Sequence, residues 1–314
     1  MKRIPVWLTI VPLLLGLAVY WYFWSGWRDT LRTDLAAVMP GTAVTIGGFP
    51  YRMEADVAAP DYRLAGPVRL DLHAARARAN RNPWQRDLTV VRTDQPVATV
   101  DFHLPGASAT IAAATATSSV HLSPRGIARL STVFTTARGQ SGLTPSFTAD
   151  TLEVHLRETR ARSNEAWSAT PPQQAQVVLA ATKLRFGQGA PLHLDLDAGV
   201  TATAPLHDLA GWLAGGTVEV RSAVLSDATG EVARLAASAV PAGGTLRLTG
   251  TVTTVCPRTV AAALAGTPPP PESRLRNTVR LAVGGSPGAF ELAAVPNTAP
   301  TAVRTQLPPC PRLR

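Results

Sequence analysis

The sequence predicts a mainly β protein: an N-terminal transmembrane helix, then a large, curved antiparallel amphipathic sheet with a few short covering helices. Three observations carry this. Ile4 to Trp24 is one uncharged apolar run, apolar and polar residues alternate with period two in segment after segment from Ile46 onward, and stretches with helical spacing are few.

The apolar run is long enough to cross a hydrocarbon core about 30 Å thick at about 1.5 Å per helical residue. A cleaved secretory signal is the alternative, since Lys2 and Arg3 precede the run. A signal's apolar core is shorter and ends in small residues. Here the run ends in Tyr20, Trp21, Tyr22, Phe23 and Trp24, which suits an interfacial aromatic belt. Lys2 and Arg3 on one flank balance Arg28 and Arg32 on the other, so orientation rests on the short leading tail, which places the N-terminus in the cytoplasm.

The expected organisation is a cytoplasmic tail at 1–3, an anchor at 4–24, an amphipathic linker helix at 25–40, a β-rich periplasmic domain at 41–295 and a Pro-rich tail at 296–314. Trp27, Leu31, Leu35 and Val38 recur at helical spacing until Pro40 and Gly41 stop the pattern. Strand-like alternation follows: Tyr51, Met53, Ala55 and Val57; Val68, Leu70 and Leu72; Val100, Phe102 and Leu104; Leu152, Val154 and Leu156; Leu192, Leu194 and Leu196; Val218 and Val220; Leu246 and Leu248; Val279, Leu281 and Val283. Short connections favour an antiparallel meander with one wet and one dry face. Helical interruptions are expected from Ser123 and Pro124 through Phe134, from Pro205 through Leu213, and from Pro257 to Gly266.

More apolar strand surface is encoded than a few helices can cover. The sheet must either fold over on itself as a sandwich or barrel, or leave a dry groove beside the bilayer that suits an acyl chain. For the groove, the expected lining is Tyr51, Met53, Val57, Val68, Leu70, Leu72, Val100, Phe102 and Leu104.

A net charge of +9 comes almost wholly from arginine, with 46% hydrophobic and 16% charged residues describing an ordered chain. Basicity at a membrane favours anionic headgroups. The arginines are scattered without interleaved stacking residues, so nucleic acid is not an expected partner. Cys256 and Cys310 form a candidate disulfide, a bridge that in an oxidising compartment adds about 4 kcal/mol; two free thiols are the alternative.

Gly47, Gly48, Phe49, Pro50, Tyr51 and Arg52, about twenty residues past the anchor, resemble the glycine-(phenylalanine or tyrosine)-proline signature of the uncharacterised envelope family DUF2125. Asn82, Pro83 and Trp84, and the proline-rich end around Pro308 to Pro311, agree with it. The resemblance implies a Gram-negative inner-membrane protein facing the periplasm, β-rich, with distant kinship to AsmA-like lipid-handling proteins. Gly48, Phe49, Pro50, Pro83 and Trp84 are expected to do structural work: an extended residue before a proline, a sharp entry into a strand, and a turn with a packed indole.

Chemistry is sparse. Six histidines, at 73, 103, 121, 155, 193 and 207, contain no pair at helical metal-ligand spacing. Gly284, Gly285, Ser286, Pro287 and Gly288 match G-x-S-x-G, but Pro287 has no N–H for an oxyanion hole. No phosphate loop and no convergent acid and base are apparent, so no enzyme activity, cofactor or metal is expected. The expected partners are the membrane, a lipid or other apolar envelope ligand and, alternatively, an envelope protein bound through a sheet edge or the basic face.

Overall fold

The computed structural model describes residues 7–65, 68–101, 108–123, 126–142, 145–159, 173–187, 189, 191–201, 215–228, 230–242, 245–255, 257–265, 267, 278–286 and 289–295. Helix α1, Trp7–Val38, joins the expected anchor and linker in one unbroken rod. It is followed by β1 (Val44–Gly47), β2 (Met53–Ala58), β3 (Asp61–Leu64), β4 (Arg69–His73), β5 (Arg76–Asn82), β6 (Gln85–Asp94), β7 (Val97–Asp101), β8 (Ser108–Ala112) and β9 (Thr115–Ser123). Then come β10 (Gly126–Ser141), β11 (Phe147–Glu158), β12 (Gln173–Phe186), β13 (Leu192–Thr201), β14 (Thr217–Asp227), β15 (Gly230–Ala242) and β16 (Thr245–Thr254). Helix α2 (Pro257–Leu264), β17 (Val279–Ser286) and β18 (Ala289–Ala294) close the described chain.

All eighteen strands belong to one antiparallel sheet, and its topology is simpler than that number suggests. β2 and β3 pair with β5 and β4; β4 and β5 pair with β7 and β6; β6 and β7 pair with β9 and β8; and β9 and β8 pair with successive parts of β10. Each of the couples β2/β3, β4/β5, β6/β7 and β8/β9 is therefore one long strand interrupted once, and merging those four couples leaves fourteen strands in strict up-and-down order from β1 to β18.

The interruptions line up. Backbone hydrogen bonds link Ala59 to Ala75, Ala75 to Asp94, Gln95 to Ala114 and Ala114 to Thr135, a seam that continues through the Thr135–Thr151 and Thr151–Thr182 pairs. Left-handed backbone occurs on alternate strands of this seam, at Ala59, Gln95, Thr136 and Lys183. Crossing it, the inward-facing positions step by three residues instead of two: Phe134 to Ala137, Leu152 to Ala149, Ala181 to Leu184. Every strand takes the same extra residue, so register is kept on both sides. The seam ends where β12 carries a register shift against β13 between Ala181 and Leu184.

The core lies along the seam and at the α2 end. Ala137, Ala149, Leu152, Ala181, Leu184 and Phe186 form one buried cluster; Leu192, Val232, Ala233 and Val260 of α2 form another.

The expected helix from Ser123 to Phe134 is not formed. β10 occupies that stretch, paired to β9 on one side and β11 on the other. The β-branched run Thr132, Val133, Thr135 and Thr136, with a ladder available on both edges, outweighs the helical spacing of Ile127, Leu130 and Val133. The expected helix from Pro257 is α2; that from Pro205 lies outside the described residues, as do Cys256 and Cys310.

Candidate functional site

Register turns the apolar alternation into continuous rows. One row crosses all fourteen strands: Ile46, Ala55, Ala79, Val91, Ser118, Thr132, Val154, Leu179, Leu196, Ala223, Leu235, Val252, Leu281 and Ala294. Its two hydroxyls face each other, Ser118 Oγ and Thr132 Oγ1 lying 2.9 Å apart. A second row runs from Val44 and Val57 through Phe134, Leu152, Leu194 and Leu225 to Val279. A third runs from Met53 through Leu130, Leu156, Val177 and Val220 to Leu292. Arg81 is the single charged residue in these rows, and its Nε donates to Thr89 Oγ1, also in the third row, at 3.1 Å.

Thirteen inter-strand steps of about 4.8 Å make the strip about 60 Å long, and three rows of alternate residues about 6.7 Å apart make it about 13 Å wide. Across the middle of the strip Val154, Leu179, Leu196, Leu235 and Val252 are only half-buried, and among the described residues no second sheet packs on them. The expected choice between sandwich and groove thus falls on a single, one-sided layer.

The other face is polar. Asp56 pairs with Arg76; Asp197 accepts from Gln176 Nε2 at 2.9 Å and from Arg221 at 2.6 Å; Glu153 lies 3.1 Å from His155 Nε2. Hydrogen bonding from Arg76 holds the Asp56 carboxyl below its ordinary range, and bonds from Arg221 and Gln176 do the same at Asp197. The Asp56 and Asp197 pairs cross between strands, while Glu153 and His155 are alternate residues of β11, all on a wet surface. Among the described residues no three His, Cys, Asp or Glu come together as metal ligands.

The expected groove lining divides. Met53 and Val57 are buried on the apolar face. Leu70 pairs with Val100 and Leu72 with Ala98 beyond the seam, while Val68 is half-buried just before β4. Tyr51 departs from the expectation: β2 begins only at Met53, and Tyr51 sits in the preceding turn, 83% exposed. Phe102 and Leu104 lie outside the described residues. The residues that carry the strip to its far edge, such as Leu196 and Leu281, stand in the alternation but not in the expected lining, because row membership needs the register and the alternation gives only the face.

The signature residues converge on α1. Gly48 has φ +95°, and a Cβ there would lie 2.6 Å from the Arg52 carbonyl oxygen, so the turn requires glycine. It delivers Phe49 against Tyr20 (ring centroids 5.6 Å) and Trp24 (5.4 Å), and the Tyr20 hydroxyl donates to the Pro50 carbonyl. The Phe49–Pro50 bond is cis. In the β5–β6 turn Asn82 Oδ1 accepts from the Trp84 N–H at 3.0 Å, Pro83 is fully buried, and the Trp84 indole stacks on Tyr20 at 5.3 Å and meets Trp27 edge-on at 5.9 Å. Arg28 lies over the Trp24 ring. Two turns 34 positions apart in sequence, at Pro50 and Trp84, thus clasp the helix where the apolar run ends.

Gly284 to Ser286 end β17, where a Cβ on Gly285 (φ +119°) would lie 2.2 Å from the Ala289 carbonyl oxygen. Gly285 serves a tight hairpin entry.

A family model described as an uncharacterized protein conserved in bacteria, DUF2125, matches residues 38–296. No curated protein and no solved structure matches.

Proposed function

The chain belongs to the DUF2125 family of bacterial proteins, and from that premise we propose that it is a membrane-anchored, non-enzymatic envelope protein that binds lipid through the apolar face of its sheet. α1 supplies the anchor: it is the one described helix long and apolar enough to cross a membrane, and its apolar stretch is only 6% buried. The periplasm is the compartment that the two cysteines favour.

The observation that carries the lipid reading is the fourteen-strand row from Ile46 to Ala294, apolar except for one self-paired couple of hydroxyls and half-open to solvent. A wide aliphatic surface of this kind on a monomer marks a binding surface. Its length accommodates two or three acyl chains of about 20 Å end to end, and its width admits two side by side.

Photo-crosslinking in cells tests it. The photoreactive p-benzoylphenylalanine at position 179 or 235, in mid-row, is expected to capture lipid, identified by the mass of the adduct. Protein adducts alone at both positions sink the lipid reading.

A scaffold role is the second reading, favoured by one observation: among the described residues β18 pairs only with β17, leaving an edge that exposes Phe290 and Leu292. The same photoreactive residue at 292 then traps one dominant protein.

A further inference from the structure

The fourteen strands turn alternately at two ends, and those ends differ in chemistry. One end carries the turns at Gly48–Arg52 and Asn82–Gln85 and the β9–β10, β15–β16 and β17–β18 connections. Large apolar side chains stand exposed beside them: Tyr51 and Trp84 at the first two, the Leu122–Ile127 pair at the third, Phe290 at the last. Among the described residues the opposite end is flanked chiefly by Asp101, Ser108, Ser141 and Asp227, with Leu64 the one large apolar residue exposed beside its turns.

The anchor leaves the sheet from the apolar end. α1 is tied to β1 by the short link from Met39 to Ala43, and its Tyr20 and Trp24 lie against Phe49 and Trp84 at the turn end. The axis from Val38 to Tyr20 therefore points out of that end, and Trp7–Val19 continues beyond it for about 20 Å at 1.5 Å per residue. A bilayer entered by those residues lies directly beneath the turns.

We infer that this end of the sheet rests on the bilayer surface from the Gly48–Arg52 turn to the Leu122–Ile127 pair, with Trp84, Tyr51, Leu122 and Ile127 seated at headgroup depth. Tyr and Trp favour that depth, because an indole or phenol ring is apolar with one polar atom. Leu122 and Ile127 belong to strands five and six of the fourteen, well away from the anchor, so a purely passive tether does not account for their exposure. The contact stands the strands upright on the membrane and sets the apolar rows just above its surface, the row through Met53 nearest. The inference rests on the anchor part of the reading above, and not on lipid occupying the rows.

The full chain in its native membrane, carrying p-benzoylphenylalanine at position 127, 64 or 235, provides the test. Lipid adducts at 127 and none at 64 are expected. Protein adducts at 127, no adduct there, or equal lipid yield at 127 and 64 overturns the membrane seat. Position 235 reports separately on the rows: lipid at 127 but not 235 keeps the seat and sinks the lipid-binding face.

Discussion

Trp84 stacks on Tyr20 with ring centroids 5.3 Å apart, joining a hairpin turn of the sheet to the helix across 64 positions of sequence. With Phe49 and Pro50 on the same tyrosine, this contact decides how the sheet stands relative to α1. Aromatic pairs contribute about 0.5–1.5 kcal/mol each beyond area burial, and a hydrogen bond about 1 kcal/mol. Trp84→Ala is therefore expected to destabilise by about 1–2 kcal/mol, since much of the ring is exposed and only its contacts with Tyr20 and Trp27 are lost. In a double-mutant cycle with Tyr20→Ala the losses should fall short of additivity. Chemical unfolding of the detergent-solubilised chain measures both, and strict additivity contradicts the clasp.

The neighbouring glycines separate two roles. Gly48 has left-handed backbone and no room for a Cβ, whereas Gly47 has nothing within 4 Å of the position a Cβ would take. Gly48→Ala should cost about 1–3 kcal/mol, and Gly47→Ala less than about 1 kcal/mol. Equal midpoints in urea for the two variants would contradict this account of the turn.

The seam predicts a stabilising substitution. Thr136 holds φ at 52°, a region costly to a β-branched residue, and its side chain is exposed. Asn tolerates that region, so Thr136→Asn should raise stability by about 0.5–1 kcal/mol. Ala137 beside it is 2% exposed inside the cluster, so Ala137→Leu should lower stability by about 1–3 kcal/mol through overpacking. Thermal unfolding of the two variants tests opposite signs at adjacent positions.

The seam also explains where the sequence was legible and where it was not. Period-two alternation identified the strand class and the inward residues Met53, Val57, Leu152 and Leu194, because a pleated strand separates its faces by parity alone. That parity slips once in each strand that crosses the seam, so the alternation through Val57 stops short of β3, although β2 and β3 are one long strand. Tyr51 kept the right parity but fell outside the strand. The Ser123 and Pro124 start signal is local, whereas the ladders on both edges of β10 are not, and the ladders prevailed. Trp84 and Phe49 were read as structural, yet their shared partner Tyr20 is set by tertiary placement that no spacing in the chain encodes.

On the polar face, Asp197 gives a pH prediction with a defined sign. Its folded pKa is lowered from the ordinary 3.8, first by the bond from Arg221 and then by that from Gln176. A lowered carboxylate contributes stability that is complete above the unfolded value and is lost as pH falls through the folded one. Asp197→Asn lacks this contribution, and the exposure of the group keeps it small. The wild-type advantage in urea midpoint should hold from neutrality to about pH 5 and shrink below about pH 4. An advantage that grew on acidification would reverse the sign of the linkage.

The apolar row itself can be broken without breaking the fold. Leu196 lies mid-row, half-buried, paired with Leu179 on one side and Ala223 on the other. A glutamate there keeps its carboxylate at the solvated surface, so the penalty to stability stays near about 1–2 kcal/mol, while any chain lying along the row must desolvate the charge at a cost of several kcal/mol. Leu196→Glu is therefore expected to fold and remain in the membrane, yet to lose most lipid capture at position 235. Glu153→Gln on the opposite face, which alters charge without touching the rows, should leave that capture unchanged. Adduct yield at 235, normalised to protein in the membrane fraction, reads both variants: equal yields for them would mean that the apolar strip does not hold the ligand.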